Sequence, residues 1–97
     1  MTVYCIGHAT LTNKQAFAQY RETSTAALEK HNGMVVAASP NVETIEGKPQ
    51  HSSIAIILSF PSEADARNWR ADPDLVGTHA LRDASGDWSI QLLVPPK

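Results

Sequence analysis

The stretch IAIILSF at residues 54–60 limits the fold more than any other part of the chain. A strand with one wet face alternates apolar and polar side chains. This one is apolar on both sides, with Ile54, Ile56, Leu58 and Phe60 against Ala55 and Ile57, so it needs cover on both. A chain of 97 residues forms one domain, 1–97, with a single thin core that buries roughly 60–70% of its unfolded surface. Pairing with a second copy would help to supply the missing cover.

The remaining elements follow from local patterns. Residues 2–8, TVYCIGH, alternate around β-branched and aromatic types and predict a strand. Thr12 with Gln15 three positions later has the spacing of a capping box. The helix it opens carries Ala16, Phe17, Tyr20, Ser24, Ala27 and Leu28 as one core-facing stripe. Asn32-Gly33 ends it, with glycine expected in the left-handed region. MVVAAS, 34–39, predicts a second strand, followed by a polar loop broken by Pro40, Gly47 and Pro49. After strand 54–60, Ser62 and Asp65 cap a helix anchored by Trp69. Pro73 forces Asp72 out of helical geometry and can itself open a short further helix. Ser85-Gly86-Asp87 reads as a turn, and WSIQLLV, 88–94, as the last strand.

The order is βαββαβ, a split βαβ pattern. The expected class is α+β and ferredoxin-like: a four-stranded antiparallel sheet in spatial order 4-1-3-2 with two helices on one face. Ile57 and its neighbours would then stand on the opposite face, where a second subunit is the simplest cover.

Composition removes several function classes. Hydrophobic residues at 42% and charged residues at 19% fit a globular chain rather than a disordered one. A net charge of −2, without a basic patch, makes nucleic acid an unexpected partner. No apolar run approaches the roughly 20 residues that cross a bilayer. MTVYCIGHAT lacks the basic start and apolar core of a signal peptide, so no membrane and a cytoplasmic setting are expected. The single cysteine, Cys5, cannot close an internal disulfide and reads as a small buried hydrophobe.

Tyr20, Gly33, Glu46-Gly47, Phe60-Pro61-Ser62, Ala66, Trp69, Pro73 and Arg82 together resemble the bacterial family known as domain of unknown function 1330, within the dimeric α/β-barrel superfamily. The likeness covers nearly the whole chain. It implies a ferredoxin-like subunit whose sheet stacks on that of its partner, a homodimer, and it implies no established activity. Wider relatives include cofactor-free monooxygenases, lactone isomerases and haem-degrading proteins. The family pattern carries Trp-Tyr, Ser-Pro and a tyrosine two residues after that proline. Here those positions hold Trp69-Arg70, Asp72-Pro73 and Leu75, and Asn32 replaces the first glycine of the usual pair. No role of those tyrosines or that serine is carried over.

In this topology one sheet edge gathers His8, the loop with Glu46, His51, and the short helix with His79 and Arg82. Leu75, His79 and Arg82 are spaced i, i+4, i+7 and share a helix face. An imidazole, a carboxylate and a guanidinium at an apolar cleft suit a small anionic or enolisable molecule. On that reading His79 transfers a proton, while Glu46, Arg82, His8, His51 and Trp69 bind the ligand. Against it, Glu46 and Arg82 read equally well as a structural ion pair, and Trp69 and Trp88 as core or interface first. His8, His51 and His79 match no ligand spacing, so no metal is expected. No cofactor is expected either, because phosphate-loop and dinucleotide fingerprints are missing. His31 reads as a complement to a helix dipole, and Ser85 as ordinary turn chemistry. Two functions stay open: an enzyme working on such a molecule, or a non-catalytic ligand-binding or accessory dimer.

Overall fold

The computed structural model describes residues 1–48 and 53–96. In chain order the elements are β1 (Val3–Leu11), α1 (Lys14–Lys30), β2 (Met34–Ser39), β3 (Ile54–Phe60) and α2 (Glu63–Ala71). A 3-10 turn (Pro73–Leu75), α3 (Val76–Ser85) and β4 (Gly86–Leu93) complete it. The strands form one antiparallel sheet in the order β2-β3-β1-β4, which is 4-1-3-2 read from the other edge. The second helical crossover is in three pieces rather than one helix, because Asp72 is extended before Pro73 (φ −62°, ψ 118°).

Several boundaries differ from the sequence expectation, each for a local reason. Helix α1 is capped by Asn13, whose Oδ1 accepts the Ala16 N–H at 3.0 Å, not by Thr12. The backbone N–H groups of Thr12 and Asn13 instead donate to the Ser85 carbonyl at 2.9 and 3.1 Å, which ties the start of α1 to the end of α3. The Ser62 cap of α2 forms as expected, accepting the Asp65 N–H at 3.1 Å. At the end of α1, Asn32 and not Gly33 takes the left-handed conformation (φ 62°). Gly33 donates to the Leu28 carbonyl at 2.8 Å and Asn32 to that of Glu29 at 3.0 Å, a Schellman closure. Glycine is needed at 33 for closeness instead, since a Cβ there would lie 2.5 Å from the Phe60 ring. The expected turn over 85–87 does not form: α3 runs to Ser85 and β4 begins at Gly86.

One core joins the helices to one sheet face. Val3, Cys5, Leu58 and Phe60 from the sheet meet Ala27, Leu28, Ala66, Trp69 and Leu75 from the helical layer. Side chains alternate across a strand, so the opposite face carries Tyr4, Ile6 and His8 of β1 and Ile57 of β3. Among the described residues no element covers that face. Ile57 is 38% exposed, Tyr4 43%, Leu93 49% and Met34 61%. The two-faced apolar character of β3 is therefore real, with one face in the core and the other open. Among the described residues, no helix is long and apolar enough to cross a membrane.

Candidate functional site

Trp69 anchors α2 in the core. Its ring lies 5.6 Å from that of Phe60 and meets the His79 imidazole edge-on at 5.0 Å. The next α3 turn adds Arg82, whose Cζ sits 5.5 Å over the Trp69 ring, a cation–π contact. His79 and Arg82 are only 4% and 3% exposed, and Leu75 shares their buried face.

The hydrogen bonds fix the histidine's protonation. Arg82 Nη1 lies 3.0 Å from His79 Nδ1, and His79 Nε2 lies 3.1 Å from the Trp69 carbonyl oxygen. A guanidinium only donates and a carbonyl only accepts. Nδ1 is thus the acceptor and Nε2 carries the proton. Burial pushes the imidazole below its ordinary 6.5; the Trp69 carbonyl opposes this and the Arg82 charge adds to it. His79 is neutral, with both nitrogens occupied, and holds Arg82 in place.

A chain of contacts three residues apart extends this group. The Ser85 hydroxyl donates to the Arg82 carbonyl at 2.6 Å and accepts the Trp88 indole N–H at 2.9 Å. Ser85 is fully buried and binds α3, β4 and the α1 entry together. The repeat of His79, Arg82, Ser85 and Trp88 is visible in the sequence, and it is the signal by which Ser85 could have been found.

Between α2, α3 and the inner face of β4 lies a cleft of about 330 Å³. Cys5, Ile90 and Leu92 form its sheet wall, Trp69 and Trp88 flank it, and Arg67, Arg70, Arg82 and Asp83 supply its charge. Arg67 is paired with Glu63 at 2.8 Å. Among the described residues Arg82 makes no ion pair, and its one side-chain hydrogen bond goes to His79. Burial also raises the Cys5 thiol's pKa, which favours the thiol over the nucleophilic thiolate.

The other sequence candidates do not join this group. His8 is on β1 between Ala55 and Ser89, on the sheet face opposite to Cys5 and Trp69. Among the described residues its buried Nδ1 has no hydrogen-bond partner. Strand ends alone placed it at the right edge; the two-residue side-chain period puts it on the wrong side. Glu46 is exposed in the segment after β2 and does not line this cleft. The Glu46–Arg82 ion pair, one of the two sequence readings, is not formed. His51 lies outside the described residues. Among the described residues no group of His, Cys, Asp and Glu is arranged to hold a metal ion.

His31 does more than complement a dipole. Its Nε2 meets Asp72 Oδ2 at 2.8 Å, and Lys30 Nζ reaches the same oxygen at 2.8 Å and Asp74 at 3.2 Å. These contacts, Lys30 foremost, then His31 and the Asp74 N–H, hold the Asp72 carboxyl well below the usual carboxylate range. The cluster fastens the end of α1 to the proline break.

Comparison with solved structures supports the fold. A protein of unknown function from Rhodopseudomonas palustris is 22% identical, with a TM-score of 0.78 over 99% of this chain and 83% of that one. SnoaB, a cofactor-independent oxygenase from Streptomyces nogalater, is 13% identical, with a TM-score of 0.69 over 99% of this chain and 94% of its own. A dimeric ferredoxin-like protein of unknown function from Jannaschia sp. CCS1 is 14% identical, with a TM-score of 0.66 over 98% and 100% of the respective chains. At these identities the likeness is one of fold. No curated protein matches the sequence. The sequence does match a family over residues 2–94, nearly its whole length, and the chain belongs to that family, described as Domain of unknown function (DUF1330).

Proposed function

We propose that this protein is a homodimeric binder of small organic anions, held by Arg82 in the cleft between α2, α3 and β4. The observation that carries the reading is a guanidinium 3% exposed that makes no ion pair among the described residues and lines a cleft. A buried charge without an opposite charge is expensive. Here a stack on Trp69 and a bond to His79 fix the plane of the guanidinium, leaving donors for a planar carboxylate or enolate. With Arg67 already paired to Glu63, the cleft retains Arg70 and Arg82 against Asp83. Its charge favours an anion, and its Cys5, Ile90 and Leu92 wall favours an apolar body on that anion.

His79 enters as a positioning residue. Proton transfer by its ring would first need Nδ1 to be released from Arg82, so binding fits the geometry better than catalysis does. The homodimer rests on the open apolar sheet face and on structurally similar proteins that are described as dimeric.

Acetate, malonate and acetoacetate, titrated into the full chain by calorimetry, provide the test. Charge-assisted hydrogen bonds contribute enough that Arg82→Gln is expected to weaken binding about tenfold or more. In the unaltered protein, the Arg82 Nε–H NMR signal is expected to move on titration. An Arg82→Gln variant that melts lower but binds as tightly per folded molecule would make Arg82 a strut and end the proposal. An Arg82 signal unmoved by all three anions would do the same.

A further inference from the structure

A second cavity, of about 510 Å³, lies between α1 and the β2–β3 half of the same sheet face. It arises because α1 packs along α3, away from the edge strand β2, whose inward-facing Val35 remains 43% exposed. Trp88 and Ile90 form a wall common to both cavities, but Arg82 lines only the first and Arg21 only the second.

The lining of this cavity is unlike that of the Arg82 cleft. Three rings form one wall, Phe17 and Tyr20 from α1 and Trp88 from β4: Phe17 lies 6.3 Å from Tyr20 and 6.3 Å from Trp88, and Tyr20 lies 6.2 Å from Trp88. Ile54, Ile56 and Val35 form the sheet side. The polar groups at the rim are largely committed to backbone: Ser53 Oγ accepts the Leu11 N–H at 3.0 Å, Ser39 Oγ accepts that of Asn41 at 3.0 Å, and Ser24 Oγ donates to the Arg21 carbonyl. Arg21 is the lining residue that carries a charge. Its Cζ sits 5.9 Å over the Phe17 ring, and among the described residues it makes no ion pair.

We infer that this cavity binds a planar aromatic carboxylate, with its ring between the Phe17–Tyr20–Trp88 wall and the Val35, Ile54 and Ile56 side chains of β2 and β3, and its carboxylate on Arg21. The volume falls in the range of small-molecule sites, which run roughly 300–1,000 Å³. Aromatic walls favour a ring over an aliphatic chain, because offset and edge-on ring contacts add to the burial of area. The rim decides the charge of the ligand, since a cation meets a carboxylate there and, among the described residues, no acidic side chain lines the cavity. Water in so apolar a space has few partners, and an apolar group that displaces it gains affinity. This site shares the Trp88 and Ile90 wall with the small-anion cleft but has its own cation, Arg21, so the two proposals can fail separately.

The probe is 2-naphthoate, with 2-naphthylmethylamine as its charge-reversed counterpart, titrated into the full chain by calorimetry and followed at the two indole N–H signals. Saturable naphthoate binding is expected, with the Trp88 signal moving further than that of Trp69. Arg21→Gln, a change on an exposed helix face, should weaken it about tenfold, the worth of a charge-assisted hydrogen bond. Ala38→Phe, which fills the cavity from the edge strand, should abolish it, whereas Arg82→Gln should leave it within about twofold (under 0.5 kcal/mol by the same conversion). The inference is overturned by any one of four results: no saturable binding up to several millimolar, equal affinity for the amine, unchanged affinity in Arg21→Gln, or loss in Arg82→Gln. The last would place the ring in the other cleft. Acetate and malonate binding that survives Arg21→Gln but not Arg82→Gln would separate the two sites in the same set of variants.

Discussion

At the scale of single residues, burial and partner chemistry decide what His79 and Asp72 can do. The imidazole accepts from Arg82 and donates to Trp69, and a second proton on it would have to displace the guanidinium. Its folded pKa is below 6.5, so below that pH the unfolded chain takes up a proton that the folded chain refuses. Stability is then lost as pH falls through the window under 6.5. Asp72 acts with the same sign in a lower window. Its folded pKa is depressed, so its contribution is complete above 3.8 and is lost as pH falls below that. Urea midpoints measured against pH should show two declines, and His79→Gln should flatten the upper one alone. Nitrogen NMR should find the Nε2–H tautomer throughout the upper window. An imidazole that titrates like a free one, with both nitrogens protonated in the folded state at pH 6, would contradict the hydrogen-bond assignment.

At the scale of elements, the junction of α3 and β4 has no loop to absorb a change. A Cβ on Gly86 would lie 2.3 Å from the Thr10 carbonyl oxygen and 2.9 Å from Leu11 Cα, and backbone cannot rotate aside as a side chain can. Gly77, nine residues earlier in α3, has nothing within 4 Å of that position. The same substitution should therefore have opposite signs at the two sites. Gly86→Ala should cost about 1–3 kcal/mol, as overpacking does, and Gly77→Ala should stabilise by about 0.4–1 kcal/mol through the unfolded chain. Chemical denaturation of both variants checks this. Equal effects would mean that the α3–β4 junction has slack which the close approach of Gly86 to Thr10 does not suggest.

At the scale of the whole molecule, the chain is a slab of 35 × 32 × 17 Å, one sheet with one helical layer. The uncovered face exposes Tyr4, Ile57, Met34 and Leu93 together, a contiguous apolar surface of the kind that marks an interface. A homodimer through this face would bury ~2,000 Å² or more, as obligate dimers do. Ile57→Lys should then leave a monomer by light scattering, because a lysine buried without a partner there is costly. A variant of unchanged mass and melting temperature would place the interface elsewhere.

The legible part of this protein was local. Alternation placed β1 and β4, an unbroken apolar run placed β3, Ser62 and Asp65 placed the start of α2, and Pro73 placed the break, because each acts through its immediate neighbours in the chain. The βαββαβ order then left few topologies. Strand parity was not legible, since β1 offers Val3 and Cys5 on one side and Tyr4 and Ile6 on the other, both apolar. Packing chose between them: Gly7 faces the helices, where a Cβ would lie 2.7 Å from Ile56, and that choice sends His8 to the open face. The partners of Arg82 were hidden for a similar reason. A charged residue with acidic residues elsewhere in the chain invites an ion pair on paper. Only the tertiary structure, by stacking Arg82 on Trp69, bonding it to His79 and leaving Glu46 in solvent, made it a buried cation with no ion pair among the described residues.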